Sequence, residues 1–173
     1  MKKVLLSLAI VTIATLSAKA QSDSKSSDSQ FKLDIGATAA LPIGDLSNVS
    51  SFGVGGFLKG AYSVSPNFDV TLTPGYISFI GKTVDGYKYS SEGLFSALAG
   101  GSYLLDGGFH IDAGIGYGSF SGGGSSAGGF AYQAGVGYRI DGGLNINVNY
   151  NGVSLTGGSD SYIGLGISYP IVK

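Results

Sequence analysis

Apolar and polar side chains alternate along most of the chain, and residues 144–151, LNINVNYN, show the pattern in its simplest form. Leu144, Ile146, Val148 and Tyr150 alternate with Asn145, Asn147, Asn149 and Asn151. Successive side chains of a β-strand point to opposite faces. The segment therefore predicts a strand with one apolar face and one amide face.

The same period of two recurs along the chain and predicts eight strands. Their predicted bounds are 31–41, 51–64, 68–80, 92–104, 109–120, 129–140, 144–153 and 161–171. The fifth, sixth and eighth strands alternate most regularly, whereas the fourth has apolar residues on both faces. Pro74 has no backbone N–H to donate, so we expect a bulge or an interruption in the third strand.

The seven predicted connections alternate between long and short, beginning and ending with long. The long ones are 42–50, 81–91, 121–128 and 154–160, and the short ones are 65–67, 106–108 and 141–143. An up-and-down antiparallel barrel with long loops at one rim and short turns at the other requires this order. A Greek-key sandwich does not.

Alternation alone fits a soluble barrel with its apolar face inward and a membrane barrel with its apolar face outward. The glycines distinguish the two, because in the fifth, sixth and eighth strands they lie on the polar face. An eight-stranded barrel has an interior just wide enough for side chains to fill, so small residues belong on its inner face. On the outside of a soluble barrel they would only weaken the strands. If the polar face is internal, the asparagines of LNINVNYN can hydrogen-bond with Asp112, Gln133, Arg139 and trapped water.

Aromatic spacing favours the membrane barrel as well. Four Phe/Tyr pairs are eight residues apart on one face of one strand: Phe68/Tyr76, Phe95/Tyr103, Phe109/Tyr117 and Phe130/Tyr138. Eight residues of tilted strand rise about 20 Å, which is close to the ~25 Å apolar band between the aromatic girdles of membrane barrels. The sequence therefore predicts an all-β fold, an eight-stranded antiparallel up-and-down transmembrane β-barrel.

The N-terminal segment predicts export. Residues 1–20 have the features of a signal peptide: Lys2 and Lys3, an apolar stretch from Val4 to Leu16, and an A-x-A site at residues 18–20. The alternative is an uncleaved N-terminal anchor. Residues 21–30, QSDSKSSDSQ, are predicted to be a disordered spacer, because they have nothing to bury. Residues 31–173 form the predicted barrel domain.

Composition narrows the function further. Only 12% of the residues are charged, 31 are glycine and none is cysteine. Without cysteine there is no disulfide framework and no thiolate metal site. The predicted mature chain has seven basic and eleven acidic residues. This weak acidity argues against nucleic acid as a partner.

The AKAQ end of the signal segment and the stretch LPIGDLSNVSSFGVGGFLKGAYSVSPNFDVTLTPGYISFIGK resemble the small outer-membrane β-barrel domain proteins common in Bacteroidetes. These are similar in architecture to the OmpA and OmpX barrels, and some carry porin labels. The resemblance implies an outer-membrane location in a Gram-negative bacterium, periplasmic termini and contact with outer-membrane lipid. It also implies the barrel-assembly machinery as a partner during biogenesis. YIGLGISY, residues 162–169, resembles the family's C-terminal assembly signal, although Pro170 to Lys173 follow it.

Six charged residues are predicted to face the lumen: Lys32, Asp34, Lys59, Asp69, Asp112 and Arg139. Buried charges need partners, so we expect an internal salt-bridged plug, with a proton or ion path as the alternative. His110 is the only histidine, and Asp112 lies on the same face of the same strand. A Ser-His-Asp set is possible by composition. However, the predicted position of His110, internal and close to a short turn, favours a structural role.

No catalytic, cofactor-binding or metal site is predicted. The glycine-rich run 122–129 lacks the features of a phosphate loop and is expected to be a mobile outer loop. Asp45, Asp85 and Asp160 lack calcium-binding spacing. The predicted function is that of a non-enzymatic integral outer-membrane barrel with a structural or surface-interaction role through four outer loops and a lumen filled by side chains. The alternatives are a barrel enzyme acting on lipid or peptide, a narrow solute channel and a secreted lipocalin-like carrier.

Overall fold

The structure, a computed structural model, describes residues 30–84, 86–140 and 142–172. The predicted signal peptide, 1–20, lies outside these residues, as does the predicted spacer apart from Gln30. The described residues form ten strands: β1 Phe31–Ile43, β2 Ser50–Ser65, β3 Phe68–Gly81, β4 Thr83–Val84, β5 Tyr87–Lys88, β6 Glu92–Leu104, β7 Phe109–Gly122, β8 Ser125–Arg139, β9 Asn145–Leu155 and β10 Gly158–Val172. A short helix, α1, spans Leu46–Val49, and a 3-10 turn spans Asp106–Gly108. Within the described ranges, neither is long and apolar enough to cross a membrane as a helix.

Eight of these strands form a closed barrel in the order β1-β10-β9-β8-β7-β6-β3-β2. All neighbouring pairs are antiparallel, and β1 closes the barrel by pairing with β10. The strands β4 and β5 form a separate small hairpin within the connection from β3 to β6. Closure pairs the edge strands, which a sheet surrounded by hydrocarbon requires. The predicted eight-stranded up-and-down barrel is confirmed.

The two rims of the barrel differ in their connections. The terminal rim holds Gln30, Val172 and the turns at 66–67, 105–108 and 140–144, as predicted. The opposite rim holds the connections at 44–49, 82–91, 123–124 and 156–157. We use these two names throughout.

Two of the four predicted outer loops are wrong, because strands occupy most of their residues. In place of the loops predicted at 121–128 and 154–160, β7 and β8 continue to the two-residue turn Gly123–Gly124, and β9 and β10 to Thr156–Gly157. Gly123 and Gly124 have φ values of +57° and +85°, as a tight hairpin turn requires. The serines and glycines of 121–128 carry no apolar alternation, so the sequence pattern predicts a loop there. In the structure, however, the backbone hydrogen bonds between β7 and β8 continue to the turn without that alternation.

The expected interruption at Pro74 is confirmed. On the β2 side, Phe57 pairs with Gly75 and Gly60 pairs with Leu72, but the two positions between them are not paired. On the β6 side, Pro74 itself keeps its place opposite Ala97. The ladder is therefore broken on one side only, without a shift of register, because a single missing N–H removes hydrogen bonds to one neighbour.

The apolar face points outward, as predicted. In β9, Val148 is 46% exposed on the outer wall, whereas Asn145 is 2% exposed in the interior. Space explains the internal glycines. A Cβ at Gly137 would collide with the His110 ring, and one at Gly53 would lie 2.8 Å from the ring of Phe79. The secreted lipocalin-like alternative, which requires the reverse orientation, is therefore wrong.

Candidate functional site in the barrel lumen

The lumen has a polar half near the terminal rim and an apolar half near the opposite rim. All six predicted lumen charges lie in the polar half, on inward-facing positions of β1, β2, β3, β7 and β8. Three are basic and three are acidic, so their formal charges cancel. This balance removes much of the cost of placing charged groups inside a narrow barrel.

Two ion pairs use four of these charges. Lys59 Nζ lies 2.8 Å from Asp112 Oδ1, and both side chains are largely buried. Lys32 Nζ lies 3.2 Å from Asp69 Oδ2. Asp69 also accepts a 2.6 Å hydrogen bond from the Ser63 hydroxyl. The expected salt-bridged interior is therefore present for these pairs.

The remaining two charges, Asp34 and Arg139, are not within ion-pair distance of any partner among the described residues. Asp34 is only 7% exposed, although its side chain makes no hydrogen bond within the described part of the chain. Arg139 lies at the terminal end of β8, where Asn145 of β9 is its register partner. Position on the inner face could be predicted from the sequence, but the missing partners could not.

The asparagines of β9 face the lumen but bond mainly among themselves. Asn149 Nδ2 donates to Asn147 Oδ1 at 2.9 Å, and Asn151 Nδ2 donates to the Asn149 carbonyl at 3.3 Å. Asn145 Nδ2 donates to Ser168 Oγ at 3.5 Å. The expected bonds to Asp112, Gln133 and Arg139 are therefore wrong. Amides spaced by two residues on one strand are close enough to bond along that strand instead.

His110 lies inside the polar half, as predicted, with 4% of its side chain exposed. Its Nε2 is 3.3 Å from Asp112 Oδ2, but the geometry is not that of a hydrogen bond, and Nε2 has no other partner. Ser102 is the register partner of Asp112 on β6, so it faces the carboxylate rather than the imidazole. The described residues therefore contain no serine hydroxyl bonded to His110 Nε2, as a nucleophile–base pair would require.

The apolar half is filled by a cluster that we call the apolar plug. Its members are Ala40, Leu46, Ile77, Phe79, Leu94, Leu98, Phe120, Ala131, Val153 and Tyr162. Phe79 is completely buried and contacts Phe120 and Tyr162, with ring centroids 6.1 and 5.5 Å away. Sequence reasoning missed this cluster. Its signal was the fourth predicted strand, whose apolar residues on both faces include the inward Leu94 and Leu98.

Helix α1 closes the plug at the opposite rim. Leu46 points into the lumen and is 1% exposed. The loop between β3 and β6 holds the helix in place, because Lys82 donates from Nζ to the Ser47 carbonyl at 2.6 Å and from its backbone N–H to the Val49 carbonyl at 2.8 Å. The short helix therefore packs over the apolar plug at this end of the barrel.

The cavities follow this division. An open cavity of about 700 Å³ lies at the terminal rim, and Lys32, Asp34 and Arg139 are among its lining residues. Deeper in the lumen, the two other described cavities are only about 60 and 30 Å³. The ~30 Å³ cavity is bordered by Lys59 and Asp112. Within the described ranges, no group of three or more His, Asp or Glu side chains could hold a metal ion.

Comparison with known proteins agrees with this architecture. The outer membrane protein beta-barrel domain family matches residues 6–170 of the chain. None of the curated proteins matches the sequence.

Several solved structures share the fold at low sequence identity. Ail, the attachment invasion locus protein of Yersinia pestis, is 18% identical with a TM-score of 0.61, over 84% of this chain and 100% of that one. The N-terminal barrel domain of Pseudomonas aeruginosa OprF is 14% identical with a TM-score of 0.54, over 81% of this chain and 97% of that one. Neisserial surface protein A is 14% identical with a TM-score of 0.52, over 82% of this chain and 97% of that one.

The family match spans nearly the whole chain, and the outward apolar wall, the closed barrel and these neighbours agree with it. The chain belongs to the outer membrane protein β-barrel domain family and is an integral outer-membrane barrel.

Proposed function

We propose that the protein is a non-enzymatic barrel that is closed to solutes, with its termini in the periplasm, and that it makes its contacts with other molecules at the opposite rim. The observation that carries this proposal is the apolar plug. Phe79, Leu46 and Leu94 fill the lumen below the opposite rim and are almost completely buried. An ion or polar solute that crossed this layer would lose its hydration without gaining polar partners.

A narrow channel is the weaker alternative. Between the terminal-rim cavity and the plug, a solute would also have to pass the Lys59–Asp112 pair and the asparagines of β9. Aqueous channels are typical of barrels with about sixteen strands, whereas eight-stranded barrels are filled by side chains.

A barrel enzyme is disfavoured by the surroundings of the only histidine. His110 is buried in the lumen, on the inner side of the barrel wall, and its Nε2 has no hydrogen-bond partner within the described residues. A lipid on the outer wall would have no access to this ring. The geometry therefore supports a structural role for His110 in the polar half of the lumen.

The opposite rim supports a surface-interaction role. Residues Ser125 to Gly129 of β8 pair with β7 but extend beyond the last pair with β9, Phe130 with Ser154. The rim thus carries a projecting hairpin whose β8 arm consists of the small residues serine, alanine and glycine. Ail has been solved with the heparin analogue sucrose octasulfate.

A comparable polyanion is not the favoured ligand of this chain. By sequence, the rim carries the acids Asp45, Asp85, Glu92 and Asp160 and the bases Lys82 and Lys88. We therefore expect a neutral or cationic partner.

Conductance in planar lipid bilayers tests closure. The refolded mature protein is expected to give no current steps, whereas a sixteen-stranded porin in the same bilayer gives them. Regular steps that increase with protein concentration and disappear after heat denaturation would show that the barrel conducts.

Epitope accessibility on intact cells tests the topology. A tag inserted between Gly123 and Gly124 should bind antibody without permeabilisation, whereas a tag at Asp106 should require it. The reverse result would place the termini and the ~700 Å³ cavity on the outside.

A further inference from the structure

The charged residues at and below the terminal-rim cavity include two close ion pairs and two charged groups that form none. Lys32 is paired with Asp69, and Lys59 is paired with Asp112. Asp34 lines the cavity and is nine-tenths buried, but it makes no hydrogen bond or ion pair within the described part of the chain. Arg139, Lys59 and Lys32 act on this carboxylate only at longer range, so a cationic group that enters the cavity can still form the close contact that Asp34 lacks.

The complementary group lines the same cavity. Arg139 is the only arginine in the chain, since every other basic residue is lysine. A guanidinium binds carboxylates through two parallel hydrogen bonds, which an ammonium cannot do. Within the described part of the chain, the Arg139 side chain makes no hydrogen bond or close ion pair. The cavity therefore offers the Asp34 carboxylate to a cationic group and the Arg139 guanidinium to a carboxylate.

The spacing suits a ligand longer than one amino acid. Asp34 is on β1 and Arg139 is on β8, with β10 and β9 between them in the wall. Three strand spacings separate their backbones by about 14 Å along the wall. The two residues are also two positions apart along the barrel, because Arg139 is in register with Gly36 through Asn145 and Ser168, whereas Asp34 is in register with Pro170. A ligand that contacts both groups must therefore span the mouth of the barrel, as an extended chain of two or three residues, about 7–10 Å long, can do.

The rest of the lining suits a peptide backbone. Val64, Pro66, Pro170 and Val172 provide apolar surface, and Gln30 and Ser63 provide polar groups. The volume of about 700 Å³ is within the range of small-molecule sites, ~300–1,000 Å³. Six of the eleven lining residues are polar or charged, so the cavity suits a ligand that carries charges and hydrogen-bonding groups beside short apolar side chains.

We propose that this cavity binds short zwitterionic peptides of two or three residues, with the ligand's ammonium at Asp34 and its carboxylate at Arg139. The site is a dead end, because the Lys59–Asp112 pair lies beneath it and the apolar plug fills the other end of the lumen. The inference goes beyond the proposed closed barrel and does not depend on it.

The test uses the refolded mature protein in detergent micelles, where both rims are accessible, and trialanine as the probe. Dissociation constants are measured by NMR titration of the assigned backbone amides of Asp34 and Arg139. Trialanine with free termini should bind in the millimolar range or tighter and shift these amides. N-acetyl-trialanine and trialanine amide, which each lack one charge, should bind at least tenfold more weakly.

Substitutions on the same rim locate the site. Asp34→Asn and Arg139→Gln should each weaken trialanine binding at least tenfold, and Arg139→Lys should restore it only in part because the fork is lost. Asp106→Asn is the matched control, since it removes a carboxylate from an exposed turn of the same rim. It should leave the dissociation constant within twofold of the wild-type value.

Three results would overturn the proposal: no saturable shift up to 20 mM trialanine, equal binding of the blocked peptides, or unchanged binding by Asp34→Asn and Arg139→Gln. In any of these cases Asp34 and Arg139 would only neutralise each other's charge across a water-filled cavity and would bind no peptide. Heat-modifiable gel mobility confirms that each variant is folded. The comparison of blocked and free peptides needs no variant, so it decides the question even if the substituted proteins do not fold.

Discussion

Phe109 and Tyr138 lie directly opposite each other on β7 and β8, on the outer wall, with ring centroids 4.8 Å apart. The other members of the eight-residue pairs follow the same rule in the register of the strands. They are Tyr117 with Phe130, Phe68 with Tyr103, and Tyr76 with Phe95. Each of the strands β3, β6, β7 and β8 therefore contributes one ring to each of two girdles, and antiparallel pairing places a Phe beside a Tyr in both.

A double-mutant cycle should detect the contact between Phe109 and Tyr138. Because tilted aromatic pairs contribute about 0.5–1.5 kcal/mol beyond their buried area, Phe109→Ala and Tyr138→Ala should be non-additive by that amount. Urea unfolding in lipid vesicles, followed by far-ultraviolet circular dichroism, gives the free energies, since the chain has no tryptophan. Phe109→Ala combined with Tyr117→Ala is the control. These rings are eight residues apart on one strand and should be additive, and coupling of equal size in both cycles would contradict the assignment.

The girdles also define the middle of the membrane. Leu72 lies halfway between Phe68 and Tyr76 and is 57% exposed on the outer wall. Leu72→Arg should therefore reduce the free energy of unfolding in vesicles by about 2–4 kcal/mol, the cost of arginine at the midplane. Ile171→Arg is the matched control, because Ile171 is 55% exposed on the outer wall near the terminal rim, and it should cost about 0–1 kcal/mol. Equal costs at both positions would show that Leu72 is not at the centre of the bilayer.

The sequence predicts the wall of this protein better than its interior. Side-chain alternation has a period of two wherever one face meets lipid, so Val148 and Asn147 could be assigned to opposite faces. Aromatic spacing and turn residues add the girdles and the strand order. These features repeat along each strand, and local pattern is sufficient to read them.

The interior depends on which strands meet across the lumen, and local pattern does not contain that information. Leu94 and Leu98 made the fourth predicted strand ambiguous because they belong to the apolar plug, which forms only when residues of β1, β3, β6, β7, β8, β9 and β10 meet across the lumen. Asp34 could be placed inside from its alternation. That Lys59 would pair with Asp112 and leave Asp34 without a partner required the three-dimensional structure.

The cost of replacing a glycine by alanine should depend on whether that glycine faces the lumen or the outer wall. Gly137→Ala should cost about 1–3 kcal/mol, because the added methyl group would collide with the buried ring of His110 and force the core to rearrange. Gly60→Ala is the control on the outer wall, where the nearest atom to an added Cβ is 3.8 Å away. It should be neutral or slightly stabilising, since alanine reduces the conformational freedom of the unfolded chain. Equal destabilisation in urea titrations would mean that backbone conformation, rather than space, selects glycine.

The Lys59–Asp112 pair joins β2 to β7, which are separated by β3 and β6 in the wall, so it braces the lumen from side to side. Lys59→Met leaves the Asp112 carboxylate buried without its cation and should lower the free energy of unfolding by about 3–5 kcal/mol. Adding Asp112→Asn should recover most of this loss, because the unpaired charge is then removed.

Lys32→Met is the graded comparison for that pair. Its side chain is 30% exposed to water, and the buried Asp69 carboxylate keeps its hydrogen bond from the Ser63 hydroxyl, so the loss should be smaller than for Lys59→Met, about 1–3 kcal/mol. All variants are compared by urea unfolding in the same vesicles. If Lys59→Met costs no more than Lys32→Met, or if Asp112→Asn does not rescue it, the lumen is wet enough to solvate a lone carboxylate. The interior ion pairs would then contribute little to the free energy of unfolding of the barrel.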